Sequence, residues 1–302
     1  MAEPTPLDAL NAAAPDAFVA VLGDLFEHAP WVAEGVVGQR PFATVAALHE
    51  AMMQAVRQSP REQQIAFLQG HPDLAGKAAR TGAIAPASVS EQAGLGLDRL
   101  SDAEYDTFQR LNGAYLERFG FPFIVCVRRQ TRETVLASYA ARLAHDEAAE
   151  LDRALEEIGH ITRLRLVDRV TGPGMPQTTG HLSTHVLDTY HGAPAAGVSV
   201  ELYELGETAR AKVAEAVTNA AGRTDAPLLH GQPLRARRYE LVFRTEAYFR
   251  RRGVPLPDIP FVGDAVIRFG IDQPEGHYHV PLVVTPWSTV KRPPNSPDMS
   301  HP

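Results

Sequence analysis

From Leu7 to about Val170 the apolar residues recur at helical spacing. Phe18, Leu22 and Leu25 fall on one face, and Val45, Leu48, Met52 and Val56 on one face of another segment. Start signals stand where that spacing needs them. Ser59-Pro60-Arg61-Glu62 offers an N-cap, a proline at the first helical position and a capping-box glutamate. Ser101-Asp102-Ala103-Glu104 repeats the box ahead of Tyr105, Phe108, Leu111, Tyr115 and Phe119, with Gly120 as the stop. Further helices are predicted through Thr134 to His145 and from about Glu147 to Leu166, so the first half is all-helical with six or more helices.

Residues 171–180 hold three glycines and two prolines and no periodic apolar position, and read as a flexible linker. Beyond them the period becomes two. Val198, Val200 and Leu202 alternate with Ser199, Glu201 and Tyr203, and Gly180 to Thr189, Tyr239 to Phe243, Ala265 to Ile271 and His277 to Val284 read as strands. One short helix, Glu246 to Arg252, interrupts them. The expected fold is multidomain: an all-α domain over 1–170, the linker, and a small antiparallel β-sandwich over 181–302.

Composition narrows the partners. The 302 residues are 44% apolar, enough for two cores. Lys and Arg number 29 against 36 Asp and Glu, net −7, with no basic block for a phosphate backbone, so nucleic acid is not an expected partner. Cys126 is the only cysteine, which excludes an intramolecular disulfide framework and a Cys-rich zinc site and suits a reducing compartment. The longest strongly apolar run, Phe121 to Val127, is far below the roughly 20 residues of a membrane helix. Residues 1–10 carry Glu3 and Asp8 without a positive charge, and Met299-Ser300-His301-Pro302 is not a Ser-Lys-Leu type ending; a cytoplasmic location is expected.

Three features of the helical half could carry chemistry, and each has an ordinary alternative. His71-Pro72-Asp73-Leu74-Ala75 puts an imidazole on a loop, or simply caps a helix or decorates the surface. Ser88 to Leu95 puts Glu91 and Gln92 at the start of another segment, where acidic residues are common. Phe119-Gly120-Phe121-Pro122-Phe123-Ile124 is an extended apolar strip whose backbone groups a ligand could use, or a buried connection between helices.

These segments, with Leu111-Asn112-Xaa-Xaa-Tyr115 and Arg163-Leu164-Arg165-Leu166 in the same order, resemble 2-oxo-4-hydroxy-4-carboxy-5-ureidoimidazoline (OHCU) decarboxylases across about residues 5 to 170. The resemblance implies an all-helical, cofactor-free enzyme acting late in urate breakdown to give (S)-allantoin. It implies a catalytic His71, with Glu91 and Gln92 holding ring and ureido groups, Arg165 binding substrate, and Pro72, Gly120, Phe121, Phe123 and Ile124 lining the pocket. The roles are chemically coherent. Loss of carbon dioxide leaves electron density that must be delocalised and then reprotonated on one face, which calls for a positioned acid or base titrating near neutrality. Arg163 and Arg165 are two apart on one helix, so only one of them faces a pocket.

In the second half, Ser183 and His185 share one strand face opposite Thr184 and Val186, and His277 and His279 share another. Two such faces could suggest metal, but cysteine and matching carboxylate ligands are missing, so no metal is expected. Thr218 to Asp225 reads as a turn delivering Arg223, or an arginine that is merely on the surface. Taken together, Leu182 to Asp188, Pro194-Ala195, Gly222-Arg223, the helix around Tyr248-Phe249 and His277 to Leu282 resemble the 5-hydroxyisourate (HIU) hydrolases of the transthyretin-related family. The resemblance implies His185 and His279 as a catalytic pair, Arg223 on the substrate, and water opening the HIU ring with no metal or covalent intermediate.

That family closes with Tyr-Arg-Gly-Ser, whereas the matching region here runs from Thr285 to Ser296 without it; Ser288, Thr289 or Arg292 are the local candidates to stand in, Ser288 as a substrate contact. The expectation is a bifunctional homo-oligomeric enzyme, the second domain opening HIU to OHCU and the first decarboxylating OHCU. The alternative is a single active decarboxylase carrying a binding or oligomerisation module.

Overall fold

In the computed structural model, residues 3–76, 91, 93, 95–206 and 209–291 are described. The chain forms two compact units, Met1–Thr178 and Thr179–Pro302. The first contains eight α-helices among the described residues: α1 (Leu7–Ala12), α2 (Pro15–Leu22), α3 (Pro30–Val36), α4 (Val45–Gln58), α5 (Arg61–Gln69), α6 (Asp102–Phe119), α7 (Arg132–Arg142) and α8 (Glu147–Val167). Their apolar faces meet in one core, in which Phe18, Leu22, Leu25, Val45, Leu48, Met52 and Val56 are all buried, as the helical spacing requires.

Helix α6 carries both halves of its capping box, Ser101 with Glu104, and ends at Gly120 in the left-handed conformation that spares glycine a Cβ clash (φ +76°). Helix α5 starts differently from expectation. Pro60, not Ser59, is its N-cap residue, and Ser59 instead ends α4, donating its hydroxyl to the Val56 carbonyl. The Gln64 amide completes that ending by donating to the carbonyls of Val56, Arg57 and Ser59, so the serine expected to serve the start of α5 serves the end of α4 instead.

Part of the stretch expected to be a flexible linker is instead docked. Val170–Thr171 (β2) pairs in parallel with Thr5–Pro6 (β1), and the Pro173 and Gly174 carbonyls accept from Val45 and Ala46 at the start of α4. Glycine is required there: Gly174 has φ +58°, and a Cβ would lie 2.7 Å from the Thr44 side chain. The orphan amides of a helix N-terminus explain the docking, which composition alone does not reveal.

The second unit is a two-sheet sandwich. One sheet orders β11 (Thr289–Lys291), β10 (His277–Val284), β3 (Gly180–Asp188) and β4 (Ala193–Pro194), with β7 (Leu229–Gln232) also on β3. The other orders β6 (Arg210–Val217), β5 (Ser199–Leu205), β8 (Arg237–Phe243) and β9 (Ala265–Ile271). The core between them joins Leu182, Val186, Val280 and Leu282 to Val200, Leu202, Leu241 and Ile267, with α9 (Thr245–Arg251) adding Tyr248 and Phe249. The sandwich is not purely antiparallel as expected, because β3 and β10 run parallel in a register that sets His277 against His181 and His279 against Ser183. A parallel pair cannot be closed by a hairpin, and nearly the whole unit lies between these two strands in sequence.

In the helical unit one buried ionic group stands out. Glu150 is fully buried, paired with Arg142 at 2.6 Å and with His145 at 2.8 Å, and it accepts the Tyr115 hydroxyl. Removing one member of such a group leaves a buried charge uncompensated. Arg142→Met is expected to destabilise the helical unit by about 3–5 kcal/mol, read as a lower midpoint for loss of the helical circular dichroism signal in urea.

Candidate active sites

An open cleft in the helical unit, with about 420 Å³ of free space, is lined by Glu27, His71, Pro72, Leu74, Glu91, Phe123, Ile124, Val125, Val127, Ile161 and Arg165. His71 follows the end of α5, and Phe67 on the last turn fixes it twice. Its ring stands edge-on to the imidazole at 5.0 Å, and its carbonyl lies 3.1 Å from Nδ1. A carbonyl only accepts, so Nδ1 carries the proton and Nε2 keeps its lone pair. Burial pushes His71 below the ordinary imidazole range, helped by the Arg165 charge and opposed by Glu27 and by the Phe67 carbonyl. His71 is therefore neutral near pH 7 and able to take a proton.

Arg165 projects from the last turns of α8 and is almost fully buried. Its Nε and Nη2 donate to the two carboxylate oxygens of Glu91 at 3.0 and 2.8 Å, and its Nη1 donates to Glu27 at 3.2 Å. Those carboxylates outweigh the burial that would disfavour its charge. Arg163, two residues away, turns elsewhere and reaches His160 at 3.1 Å.

The remaining wall is the extended segment after α6. Phe121, Phe123 and Ile124 are buried, and their backbone leaves the helical pattern. Side chains from several helices satisfy it: Gln69 donates to the Gly120 carbonyl, Arg142 to that of Ile124, and Glu157 accepts from the Cys126 amide. Asn112 donates to the Leu74 carbonyl at 2.8 Å and accepts from Tyr139 at 2.6 Å, which ties the histidine loop to α6 and gives the asparagine of the Leu-Asn-Xaa-Xaa-Tyr motif a physical purpose. Phe121 and Gly120 belong to this segment but not to the cleft lining. Gln92 lies outside the described residues. Glu27 was not indicated by any local pattern; it enters only because the turn after α2 delivers it to Arg165, 138 residues away.

The second cluster lies on the outward face of the β3–β10 pair. His181 and His277 stack at 3.8 Å, and His279 Nδ1 lies 3.0 Å from the Ser183 hydroxyl. Arg223 bridges to His185 along the backbone. Burial and the Arg223 charge lower both His185 and His279, so both are neutral near pH 7. Gly222 makes the arrangement possible: its φ is +71°, and a Cβ would overlap the Val186 carbonyl oxygen and lie 3.1 Å from Pro194 and 3.2 Å from the His185 ring.

Ser288 is not brought to this group. It is exposed in the turn between β10 and β11, its hydroxyl 2.9 Å from that of Thr285. At about 3.3 Å per residue, that end of β10 lies some 16 Å from His279. The return strand β11 is described only to Lys291, opposite Leu282, and Arg292 lies outside the described residues.

Comparison with known proteins assigns a family to each unit. Residues 11–167 match the OHCU decarboxylase family, and residues 182–291 the HIUase/transthyretin family. The 2-oxo-4-hydroxy-4-carboxy-5-ureidoimidazoline decarboxylase of Haloferax volcanii is 42% identical over 163 residues, 54% of this chain and 95% of that protein. The 5-hydroxyisourate hydrolase of Pseudomonas aeruginosa is 44% identical over 119 residues, 39% of this chain and 94% of that protein. The chain is a fusion of these two families. A crystal structure of an (S)-allantoin synthase matches 97% of this chain and 100% of its own at 33% identity, with a TM-score of 0.56, so the pairing of a decarboxylase unit with a hydrolase unit recurs there in one polypeptide.

Gly222→Ala is expected to lower HIU hydrolysis at least tenfold, because the strained backbone and the new methyl displace both His185 and Arg223. The decarboxylase unit of the same chain serves as the control, and unchanged HIU decay with this variant would contradict the placement.

Proposed function

We infer that this chain is a bifunctional enzyme of urate degradation. Its hydrolase unit opens HIU to OHCU, and its decarboxylase unit converts OHCU to (S)-allantoin. The observation that carries the reading is the coexistence, within one chain belonging to both families, of two separate histidine sites whose imidazoles are neutral near pH 7.

In the hydrolase unit His185 and His279 take the base and acid roles. One accepts a proton from water as its oxygen adds to the ring carbonyl; the other, neutral at the start, takes up that proton on one ring nitrogen as it gives one from its second nitrogen to the departing ring nitrogen, and Arg223 stabilises the negative oxygen between these events. The new carboxylate made there is the group the second unit removes.

In the decarboxylase unit Arg165 is the cation that recognises the anionic, planar substrate, as a guanidinium fork suits a carboxylate or heterocycle. Glu91 and Gln92 hold the ring and ureido groups, with Pro72, Phe123 and Ile124 lining the cleft and Gly120 and Phe121 preceding them in the same extended segment. Phe123 and Ile124 form a buried apolar wall on one side of the cleft, and the carbanionic density left by carbon dioxide is quenched by one positioned proton. His71 Nε2 accepts the substrate hydroxyl proton as the carboxyl leaves and returns a proton to a single face of the product. Neither step calls for a cofactor or metal.

The cytoplasm and a homo-oligomeric state belong to this reading. The lone Cys126 supports the first, together with the finding that no described helix is long and apolar enough to cross a membrane. The second is supported by the outward position of the hydrolase residues, on a sheet face that a second subunit could cover.

The test separates the steps with freshly generated HIU followed by ultraviolet absorbance. His279→Ala is expected to leave HIU decaying at its spontaneous rate, and His71→Ala to leave HIU decay fast while OHCU accumulates. HIU decay in the wild-type chain no faster than in buffer would leave the strand unit as a binding or assembly module.

A further inference from the structure

Among the described residues, the only non-glycine positions with positive φ are Glu27 (+37°), His28 (+56°) and Ala75 (+54°). Glu27 lines the decarboxylase cleft, His28 follows it in the same turn, and Ala75 lies in the histidine loop. Non-glycine residues adopt this region rarely and are held there by their surroundings, commonly at functional sites. The surroundings are evident. Phe26 and Leu25 are buried on one side of the turn, and Arg169, just beyond α8, grips it by pairing with Asp24 and donating to the Val21 carbonyl at 3.3 Å. The turn thus delivers Glu27 almost fully buried into the cleft, where it meets Arg165 through a nitrogen that Glu91 does not use.

Two carboxylates on one arginine play unequal parts. Glu91 is more exposed than Glu27, 16% against 3%, and it occupies Nε and Nη2, the side-on fork best suited to an incoming planar anion. Glu27 holds a different nitrogen from a fixed backbone. A substrate that takes over the Glu91 fork still finds Arg165 aimed into the cleft.

We propose that Glu27 is a positioning residue of the decarboxylase site, holding Arg165 in place while Glu91 yields to substrate, and supplying the negative charge against which His71 gains its proton. This rests on the decarboxylase reading given above. His71 shares the cleft with Glu27 from the turn after α2, Arg165 from α8 and Glu91, and Asp73 follows two residues on in its own loop without lining the cleft. Of the carboxylates, Glu27 is the one that opposes the downward pull of burial on the imidazole.

The experiment measures OHCU decarboxylation against pH for the full-length wild type, Glu27→Gln, Glu27→Asp and His71→Ala, with OHCU made in place from HIU. Removing the nearby negative charge makes imidazolium harder to form, so in Glu27→Gln the acidic limb of kcat/KM moves to lower pH, by about half a unit to one unit. Loss of the Arg165 anchor raises KM about tenfold at neutral pH. Glu27→Asp, which keeps the charge, retains the wild-type limb while KM rises. Acidic limb and KM both unchanged in Glu27→Gln, or a uniform loss at every pH with KM unchanged, would overturn the proposal. So would loss of the folded helical signal in both Glu27 variants, which would assign the residue to stability alone. His71→Ala distinguishes the two failures: if it still decarboxylates, the reading of the cleft itself is wrong, whereas if it is inactive and Glu27→Gln is normal, only the role of Glu27 falls.

Discussion

The segment from Gly120 to Cys126 is extended backbone inside a helical bundle, and the decarboxylase unit is organised around satisfying it. A helix closes its own hydrogen bonds, but this strip cannot, and buried unpaired carbonyls and amides are costly. Gln69, Arg142 and Glu157 reach it from three helices. Arg142 in turn requires the buried Glu150, and Glu150 is completed by Tyr115 and His145. The polar interior is thus a consequence of building a ligand wall from non-helical chain. The aromatic packing of Phe123 on Tyr139, stacked at 3.7 Å, fills the space behind it.

Function follows from what that wall leaves open. On its free side stand a neutral imidazole with a defined tautomer and a guanidinium already oriented by carboxylates. The cleft therefore offers a proton acceptor and a fixed positive charge without any rearrangement of the backbone shown. The strand unit reaches a comparable result by register. Parallel pairing of β3 with β10 sets Ser183 opposite His279, two residues before His185 on the same strand face, and a glycine at φ +71° lets Arg223 approach.

Much of this was legible in the sequence because it is written in local periods. Helices α6 and α8 and the strands β3, β9 and β10 appear where spacing, capping boxes and alternation place them. What was not legible is long-range. The parallel β3–β10 pairing joins residues 96 apart, the docking of Pro173 and Gly174 on α4 depends on orphan amides far away in sequence, and Glu27 meets Arg165 across 138 residues. His71, Arg165 and Arg223 could be picked out by motif, but Glu27 sits in a turn between Phe26 and His28 with no pattern of its own. Ser288 is a candidate by position in the chain alone, and within the chain it stands in the β10–β11 turn beside Thr285.

The central claim is that one polypeptide carries out both steps and delivers the second product with defined handedness. Circular dichroism of the product, recorded on the wild-type chain supplied with fresh HIU and on HIU left to decay alone, tests it most directly. The account predicts the signal of (S)-allantoin from the enzyme reaction and none from the spontaneous one. A racemic product from the enzyme reaction would contradict it.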